Sequence, residues 1–346
     1  PKPSSSPPPH GKKKVELRRA KTLDKREGFI PQILRDSVVL FHDGALMYCD
    51  SAYLNMETNS FDAFANVSIN QGDTLFLYGD YLNYDGNTKL LKIRHNVRLE
   101  NRDVTLFTDS LNYDRAINLA YYFDGGMLVD STNQLSSYWG QYEPHLKLAT
   151  FSDSVTLVNP KFTLQSDTLL YNTMSKVATI LGPSTIVSDS AVIHTQKGWY
   201  NTTTEESMLL DRSLILNKEG DRTLTGDSIS YHRKEGYAEV FGNMFLQDTT
   251  KKAILRGHYG FYNEFEDSAF ATDSAFCIEY SQGDSLYLHG DTLRIETDSI
   301  YRNIFAYKNV RFYRSDIQGV CDSMHFASKD TMLYLLGAPI IWNETH

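Results

Sequence analysis

A short pattern of apolar and polar positions, Leu-x-small-Asp-x-Leu-x-Tyr, recurs along the chain. Clear copies are LYGDYLNY at 77–84, LFTDSLNY at 106–113, LQSDTLLY at 164–171 and LTGDSISY at 224–231. With the Asp taken as an index, about eleven units of about 30 residues follow one another, which is typical of a repeat architecture. The index positions are Ala20, Asp50, Asp80, Asp109, Tyr138, Asp167, Gln196, Asp227, His258, Asp291 and Asp322.

The spacing within a unit predicts a creased strand. The apolar positions three residues before and two residues after the index have opposite parity, so a flat strand would place them on opposite faces. An extra residue at the small-Asp step, as in a β-bulge, puts both on one face and bends the chain. A second small or polar step, such as Asn66-Val67 or Asn96-Val97, lies halfway between indices and predicts a second crease.

Turn residues occur twice in each unit, for example Asp85-Gly86-Asn87 and Asn101-Arg102-Asp103. Two turns per unit indicate two antiparallel legs. We therefore predict an all-β fold, an elongated antiparallel repeat that is V-shaped in section and whose creased sheets enclose a groove. Strands that lie ~4.8 Å apart would advance the structure by about 9.6 Å per unit.

Helical periodicity is absent over any useful length. The segment Lys12–Glu27 is rich in helix formers, but Val15, Leu17 and Ala20 fit the frame of the repeat, so we interpret it as an incomplete first strand pair. Residues 1–14 are rich in proline and lysine and predict a disordered leader. The rest of the chain, residues 15–346, predicts one continuous repeat domain.

The charge distribution bears on the partners. The net charge of -9 argues against a nucleic-acid partner, because such proteins carry a concentrated basic face. Residues 1–35 are the exception, with ten Lys and Arg against three acidic residues. This basic segment either contacts lipid phosphates or a membrane, or serves as a solubilising tail. No apolar run reaches the roughly 18 residues of a membrane-spanning helix.

The sequence carries none of the common catalytic or metal-binding motifs. It has no Gly-x-Ser-x-Gly elbow, no His-Glu-x-x-His and no Walker loop, and its ten histidines are scattered singly. Cys49, Cys277 and Cys321 are too few and too far apart for a disulfide scaffold or a zinc site. We therefore expect no enzymatic activity, no cofactor and no metal.

The acidic index residues are candidates for a repeated structural role. A calcium site needs about six oxygens that converge from one short loop, whereas successive index residues would lie about 9.6 Å apart. We therefore interpret them as corner residues whose carboxylates accept backbone N–H groups, as in Asx turns. These residues are Asp50, Asp80, Asp109, Asp167, Asp227, Asp291 and Asp322.

A tyrosine stands four residues after the index in seven successive units. Aromatic rings at fixed spacing could bind a glycan or lie at a lipid interface. Strand-forming structural residues are the favoured interpretation, because the series persists along the chain and does not cluster in one patch. The series is Tyr84, Tyr113, Tyr142, Tyr171, Tyr200, Tyr231 and Tyr262.

The apolar column three residues before the index is the candidate functional surface. In a closed sandwich it would be ordinary core. In a V that stays open it would form a continuous apolar trough, larger than the few hundred Å² that soluble monomers usually expose, and would need an amphiphile or a partner. The lipid-groove candidates are Met47, Leu77, Leu106, Leu135, Leu164, Ile193, Leu224, Leu255 and Leu288.

The repeat resembles the OstA/LptA family of lipopolysaccharide-transport proteins, in particular the OstA-like proteins of Bacteroidetes-type bacteria. The resemblance lies in MYCDSAYLN at 47–55, NVSINQGDTLFLYGDYLNYDG at 66–86 and LQSDTLLYN at 164–172. It extends over about residues 15–346, and its specificity comes from the whole set of units.

This resemblance implies a periplasmic, V-shaped open β-jellyroll that shields the acyl chains of lipopolysaccharide or another acylated lipid. It also implies end-to-end strand addition with other jellyroll proteins of the pathway, and allows a head-to-tail homo-oligomer. The expected edges lie near Val15–Ala20 and Leu333–Trp342. We expect the protein in the periplasm, free or at a membrane surface, with any export signal upstream of Pro1.

An alternative function remains open at this point. A parallel β-solenoid that binds or cleaves surface glycan, in the manner of an adhesin-like surface protein, would also produce a regular repeat. Strand direction separates the two hypotheses, since consecutive legs are antiparallel in the jellyroll and parallel in the solenoid.

Overall fold

The computed structural model of the chain describes residues 13–280, 283–298, 301–330 and 332–343. These residues divide into two compact units. The first comprises the described residues up to Leu157 together with Asn172–Met174, and the second comprises Val158–Tyr171 and the described residues from Ser175 onward. The predicted leader, residues 1–14, lies outside the described residues except for its last two positions, and the single continuous domain stays a prediction.

All regular secondary structure in the described residues is β-strand. Up to residue 159 the strands are β1 (Glu16–Arg19), β2 (Thr22–Asp24), β3 (Gln32–His42), β4 (Ala45–Asn55), β5 (Ser60–Gln71), β6 (Leu75–Asp85), β7 (Leu90–Asn101), β8 (Val104–Asp114), β9 (Leu119–Tyr122), β10 (Gly126–Val129), β11 (Gln134–Ser137), β12 (Trp139–Glu143) and β13 (Leu148–Asn159).

The later strands follow the same plan. They are β14 (Phe162–Asn172), β15 (Val177–Ile180), β16 (Ser184–Ser188), β17 (Ala191–Thr195), β18 (Lys197–Asn201), β19 (Glu206–Leu210), β20 (Leu214–Asn217), β21 (Arg222–Thr225), β22 (Ser228–His232), β23 (Tyr237–Asp248), β24 (Ala253–Asn263), β25 (Ser268–Glu279), β26 (Leu286–Asp298), β27 (Tyr301–Arg314), β28 (Ile317–Ala327), β29 (Met332–Leu336) and β30 (Ile340–Asn343).

Neighbouring strands pair antiparallel, as two turns per unit predict. In β4, Met47 lies opposite Leu40 of β3 and Ile69 of β5. The strand character predicted within Lys12–Glu27 is confirmed, but β1 pairs with the second half of β3 and β2 with the first half, so they are successive parts of one creased strand and not a strand pair. Every strand pairing among the described residues is antiparallel, so the parallel β-solenoid is wrong.

The long strands are creased where the repeat predicts. Register shifts, the mark of a β-bulge, fall between Tyr48 and Ser51 in β4 and between Phe64 and Val67 in β5. The first coincides with the small-Asp step and the second with the step halfway between indices. Each crease divides a long strand into two arms.

The crease halfway between two index positions places two consecutive residues in the left-handed backbone conformation. Ala65 has φ 61° and Asn66 has φ 50°. Such a pair costs roughly 1–2 kcal/mol per non-glycine residue, so the packing around the crease must offset it. The same pairing of left-handed residues recurs at Asp36-Ser37, His95-Asn96, Asp153-Ser154, Asp211-Arg212, Asp273-Ser274 and Lys308-Asn309.

Four index carboxylates accept hydrogen bonds at the crease from an asparagine side chain of the next strand. The contacts are Asn66–Asp50 at 2.7 Å, Asn96–Asp80 at 2.6 Å, Asn243–Asp227 at 2.7 Å and Asn309–Asp291 at 3.3 Å. The donor is a side-chain amide, whereas the sequence analysis expects backbone N–H groups. A side-chain donor suits this position because the backbone beside the crease is already paired, as Asp227 N is with Gly242 O at 2.8 Å.

The other index carboxylates lie at equivalent creases with different neighbours. His95 Nδ1 is 3.2 Å from Asp109 Oδ2. Asp167 lies against Gly182. Asp322 lies against Gly337, where a Cβ would come within 2.4 Å of the Asp322 Cβ, so a larger residue would force the crease to shift.

Buried and more exposed side chains alternate along each arm. At the crease the buried positions change from odd to even residue numbers, or the reverse. In β4, Met47 and Cys49 are buried before the crease, and Ala52 and Leu54 are buried after it. The buried side chains of both arms therefore line one interior. We call the arm that carries the position three before the index the A arm, and the arm that carries the tyrosine four after it the B arm.

Among the described residues, no helix is long and apolar enough to cross a membrane, and no group of three or more His, Cys, Asp or Glu side chains is placed to hold a metal ion. Cys49, Cys277 and Cys321 are free thiols and are buried. Burial raises the pKa of Cys49 and of Cys277 to about 12, so these thiols stay protonated and unreactive at neutral pH.

Candidate functional site: an apolar interior and its polar rim

The nine lipid-groove candidates lie on the A arms and face the interior. Each of them is between 0% and 4% exposed, from Leu77 at 0% to Leu224 at 4%. The column is therefore enclosed, whereas the sequence analysis expects an exposed trough. The physical reason is that an opposite wall covers it, and a role of this column in lipid binding stays a prediction.

The tyrosine series forms much of the opposite wall, on the B arms. Tyr84, Tyr113 and Tyr171 are 0% exposed. Burial raises the pKa of Tyr113 and of Tyr200 to about 12, so these hydroxyls are protonated at neutral pH. The rings fill the interior of each unit, which favours the structural interpretation of the series.

The cavities found between the walls of the second unit are small. In the second unit, a cavity of about 50 Å³ lies among Leu246, Leu255 and Ala269, and one of about 30 Å³ lies beside Ile215 and Leu224. A cavity needs roughly 10–15 Å³ to hold one water. These cavities admit a few waters, and an acyl chain could enter only if the arms moved apart.

The turns at the ends of the A arms and of the B arms border an opening to the interior, which we call the mouth. Side chains from these turns close it. In the first unit, Asp43 stands in the turn that joins the A arms of β3 and β4, and Lys89 stands in the turn that joins the B arms of β6 and β7. Lys89 Nζ lies 2.5 Å from Asp43 Oδ2, so the two turns are in contact. We call the turn residues that border the mouth the rim.

One group of rim residues in the first unit is rich in positive charge. We call Lys13, His42, Asp43, Lys89 and Arg115, with the neutral Gln71 and Tyr84, the first-unit rim cluster. Asp43 Oδ1 accepts from Lys13 Nζ at 2.6 Å, and Lys89 holds the other carboxylate oxygen. Hydrogen bonds from Lys13 and Lys89 hold the pKa of Asp43 well below its usual value, so it is an anion over the whole neutral range.

Arg115 is the buried cation of this cluster and is 7% exposed. Its Nε donates to Gln71 Oε1 at 2.9 Å and its Nη1 to Tyr84 Oη at 2.9 Å. Nη1 and Nη2 also reach the backbone oxygens of His42 at 3.3 Å and Asp43 at 3.0 Å. All four partners are neutral oxygens, and three of them, on Gln71, His42 and Asp43, lie on the opposite side of the mouth.

His42 completes the cluster as a neutral ring. Its Nε2 lies 3.0 Å from the Lys13 backbone oxygen, which only accepts, so Nε2 carries the hydrogen. Its Nδ1 then accepts from Tyr84 Oη at 2.6 Å. Burial is the largest cause of a lowered His42 pKa, and the positive charge of Arg115 acts in the same direction.

The second unit closes its mouth with matched charges. We call Lys161, Asp189, Glu205 and Arg233 the second-unit rim cluster. Arg233 Nη1 donates to Glu205 Oε2 at 2.6 Å, while its Nη2 contacts Asp189. Lys161 pairs with the other oxygen of Glu205, whose side chain is 6% exposed. Two cations thus face two anions.

Another part of the second-unit rim follows the same rule. Arg222 Nε donates to Asp248 Oδ2 at 3.0 Å and its Nη1 donates to Tyr262 Oη at 2.7 Å. Lys251 pairs with Asp267. Each of these cations has a carboxylate partner.

Sequence reasoning located the turns but missed the rim clusters. The partners are far apart in the chain, with 46 residues between Lys89 and Asp43 and 73 between Arg115 and the His42 backbone oxygen. A usable signal was present, because charged residues recur in turns at nearly one repeat length from each other. Charge recurrence alone does not show which turns meet across the mouth.

Comparison with protein families finds a model that matches part of the chain. Residues 12–167 match the family model described as OstA-like protein. The chain is similar to OstA-like proteins over these residues, and for them the match confirms the resemblance carried by the repeat.

A solved structure shows a partial likeness. It is the crystal structure of LptH from Pseudomonas aeruginosa, described as the LptA-homologous periplasmic component of the conserved lipopolysaccharide transport device. It matches with a TM-score of 0.30 and 11% sequence identity, over 34% of this chain and 82% of that chain. No curated protein matches the chain.

Proposed function

We propose that the protein is a periplasmic component of lipopolysaccharide transport that shields the acyl chains of lipopolysaccharide or another acylated lipid in its interior. The OstA-like match over residues 12–167 supports the pathway. The apolar columns of the A arms, together with the tyrosine wall of the B arms, supply an interior of suitable chemistry within each unit.

The observation that carries this proposal is the way the mouth is closed. Along the sheets, neighbouring strands are joined by backbone ladders. Across the mouth, every contact that the described residues show involves a side chain, as between Lys89 and Asp43 or between Asn101 Nδ2 and Pro144 O at 3.2 Å. Side-chain contacts can separate without breaking a sheet, so the arms can part at the rim while the creases act as hinges.

The energies make such opening reasonable. A rim hydrogen bond contributes about 0.5–1.5 kcal/mol net, and one to a charged group about 1.5–3 kcal/mol. Each methylene that leaves water for an apolar interior contributes about 0.8 kcal/mol, so ten methylenes of one acyl chain would offset several rim contacts. The lipid would thus replace contacts between the two walls with contacts to its own chain.

Partnership with other jellyroll proteins by end-to-end strand addition is part of the same proposal. β1 pairs with β3, and both β29 and β30 pair with β28. Backbone groups on the far side of such strands could pair with a further strand, either from another jellyroll protein or from a second copy of this chain. We also propose that the protein associates with a membrane surface.

Site-specific photo-crosslinking tests the lipid-binding proposal with a matched pair of positions. Phe61 and Phe64 lie on one arm of β5, but Phe61 is 1% exposed and faces the interior, whereas Phe64 faces outward and is half-buried. p-Benzoyl-phenylalanine replaces one or the other in protein exported to the periplasm of a Gram-negative host. Irradiation should attach an acylated lipid, identified by mass spectrometry, at position 61 and not at position 64. Equal adducts at both positions, or none at 61, would refute the proposal.

A further inference from the structure

The first-unit rim cluster holds more positive than negative charge. Lys13, Lys89 and Arg115 are cations, the Asp43 carboxylate is an anion that contacts the two lysines, and His42 is neutral. Three cations thus stand against one anion, which gives the cluster a net charge of +2. Lys13 and Lys89 share a single carboxylate.

The excess is costly because part of it is buried. The hydrogen bonds of the Arg115 guanidinium go to neutral oxygens, on the Gln71 and Tyr84 side chains and on the His42 and Asp43 backbone. A buried charge without a counter-ion destabilises a fold unless something compensates it. Such a site is ready to accept an anion from outside.

The second unit shows that closing a mouth does not require this excess. Arg233, whose side chain is 10% exposed, pairs with both Glu205 and Asp189. Arg222 likewise has Asp248 at 3.0 Å. The unbalanced charge is therefore a property of the first-unit rim cluster and does not follow from the repeat.

We propose that the first-unit rim cluster binds the phosphate group of an amphiphile whose chain occupies the adjacent interior. A phosphate dianion would balance the two excess charges. The planar guanidinium of Arg115 suits two oxygens of one phosphate, and the lysines act as point charges. The Lys13 side chain is 71% exposed and the Lys89 side chain is 37% exposed, so both can move toward a ligand.

The position of the cluster fits a headgroup at the mouth and a chain inside. Tyr84 Oη contacts Arg115 and His42, while the Tyr84 ring is 0% exposed and forms part of the interior wall. The ring thus connects the charged rim to the apolar interior. The binding of the amphiphile's apolar chain in the interior rests on the proposed function. The binding of its phosphate rests on the charge excess alone.

The test compares two amphiphiles with the same chain. Isothermal titration calorimetry with the full chain measures the binding of dodecyl phosphate and of dodecyl maltoside, each below its critical micelle concentration, at pH 7.5. Dodecyl phosphate should bind at least about tenfold more tightly. Lys89→Gln and Lys13→Gln together should bring the two affinities within about twofold, because they remove the two mobile charges. Lys92→Gln, at an exposed position of β7, is the control and should keep the preference.

Arg115→Gln provides a second variant. It should lower the affinity for dodecyl phosphate about tenfold and leave that for dodecyl maltoside unchanged, provided that circular dichroism shows native β-structure. If Arg115→Gln fails to fold, the lysine variants test the phosphate site without it. Equal affinity for the two amphiphiles in the unaltered chain, or a preference that survives in the double lysine variant, would overturn the phosphate site.

Inorganic phosphate distinguishes the source of the anion. If millimolar phosphate displaces dodecyl phosphate, free phosphate is sufficient for the site; if the preference survives in its presence, the site requires a lipid headgroup. Binding of dodecyl maltoside alone would support the lipid interior and refute the phosphate site. Binding of inorganic phosphate without either amphiphile would support the phosphate site and refute the proposed function.

Discussion

Arg115 in the first unit and Arg233 in the second occupy the same kind of position. Each follows a B-arm strand, reaches across a mouth, and is about nine-tenths buried. Arg233 meets two carboxylates, whereas Arg115 meets only neutral oxygens. The repeat therefore specifies where a rim arginine can stand, and the residues outside the repeat pattern determine whether its charge is balanced.

This difference suggests a division of roles between the rims. A mouth held by matched buried charges loses several kcal/mol when one partner is removed. Where the cation of a mouth has only neutral acceptors, its removal should cost less free energy of unfolding. An anion that binds there would stabilise the mouth.

Removing the shared anion of the second-unit rim cluster should cost the most. Glu205→Gln would leave Arg233 with mostly exposed Asp189 as its carboxylate partner and would remove the carboxylate that pairs with Lys161. We expect a loss of about 3–5 kcal/mol in the free energy of unfolding, measured by urea denaturation at pH 7. Glu206→Gln changes the next residue, which is 44% exposed, and should shift stability by less than about 0.5 kcal/mol. Equal losses for the two variants would contradict the matched-charge interpretation.

Removing the unbalanced cation should cost less. Arg115→Met leaves Tyr84 and Gln71 without a donor but also removes an uncompensated buried charge, so we expect a loss of about 1–3 kcal/mol. Arg233→Met, the equivalent change in the second unit, removes one of the two cations that pair with buried Glu205 and leaves only Lys161, so it should cost more. Urea denaturation of both variants under the same conditions gives the comparison. A larger loss at Arg115 would reverse the proposed contrast.

Acidification should weaken the first-unit rim cluster through His42. Its pKa in the folded protein is lowered, so the unfolded chain binds the proton more readily and stability falls as the pH drops below about 6.5. Protonation would add one more positive charge to a cluster already in excess. The pH dependence of the melting temperature between pH 7.5 and 5 should be flatter in His42→Gln than in the unaltered chain. His194→Gln, at an exposed position of the second unit, should leave the slope unchanged.

The exposed lysine of the first-unit rim cluster should matter least for stability. Lys13 is paired with Asp43, but its side chain is 71% exposed, and surface ion pairs contribute about 0–1 kcal/mol. Lys13→Gln should therefore change the free energy of unfolding by no more than about 0.5 kcal/mol, in a thermal or urea experiment. A loss above about 2 kcal/mol would show that Lys13 is a structural part of the mouth and not a mobile ligand-binding group.

Much of the fold followed from the sequence. The opposite parity of Leu77 and Leu82 around Asp80 required a crease, and the paired turns required antiparallel legs; both are seen in the pairing of β6 with its neighbours. The A-arm column was correctly placed on one side of the sheet, because side-chain direction alternates along a strand whatever the strand packs against. The OstA-like resemblance came from the same repeated positions.

The enclosure of the interior did not follow from the sequence. Whether Leu77 is exposed depends on how far apart the two arms stand, and that distance is set by contacts among turns such as those at Asp43 and Lys89. Those turns belong to different units of the repeat, so no local pattern pairs them. At the creases we expected backbone N–H donors, whereas the donors are asparagine side chains, as from Asn66 to Asp50.

The creased antiparallel strand, the apolar face of each arm and the family likeness depend on spacing within about 30 residues, so the amino-acid sequence specifies them. The closure of the mouth, the neutral oxygens around Arg115 and the two acids beside Arg233 arise only in the folded chain. The physical reason is that strand geometry is a local property of the chain, whereas charge balance at a rim arises from side chains that meet only after the arms fold together.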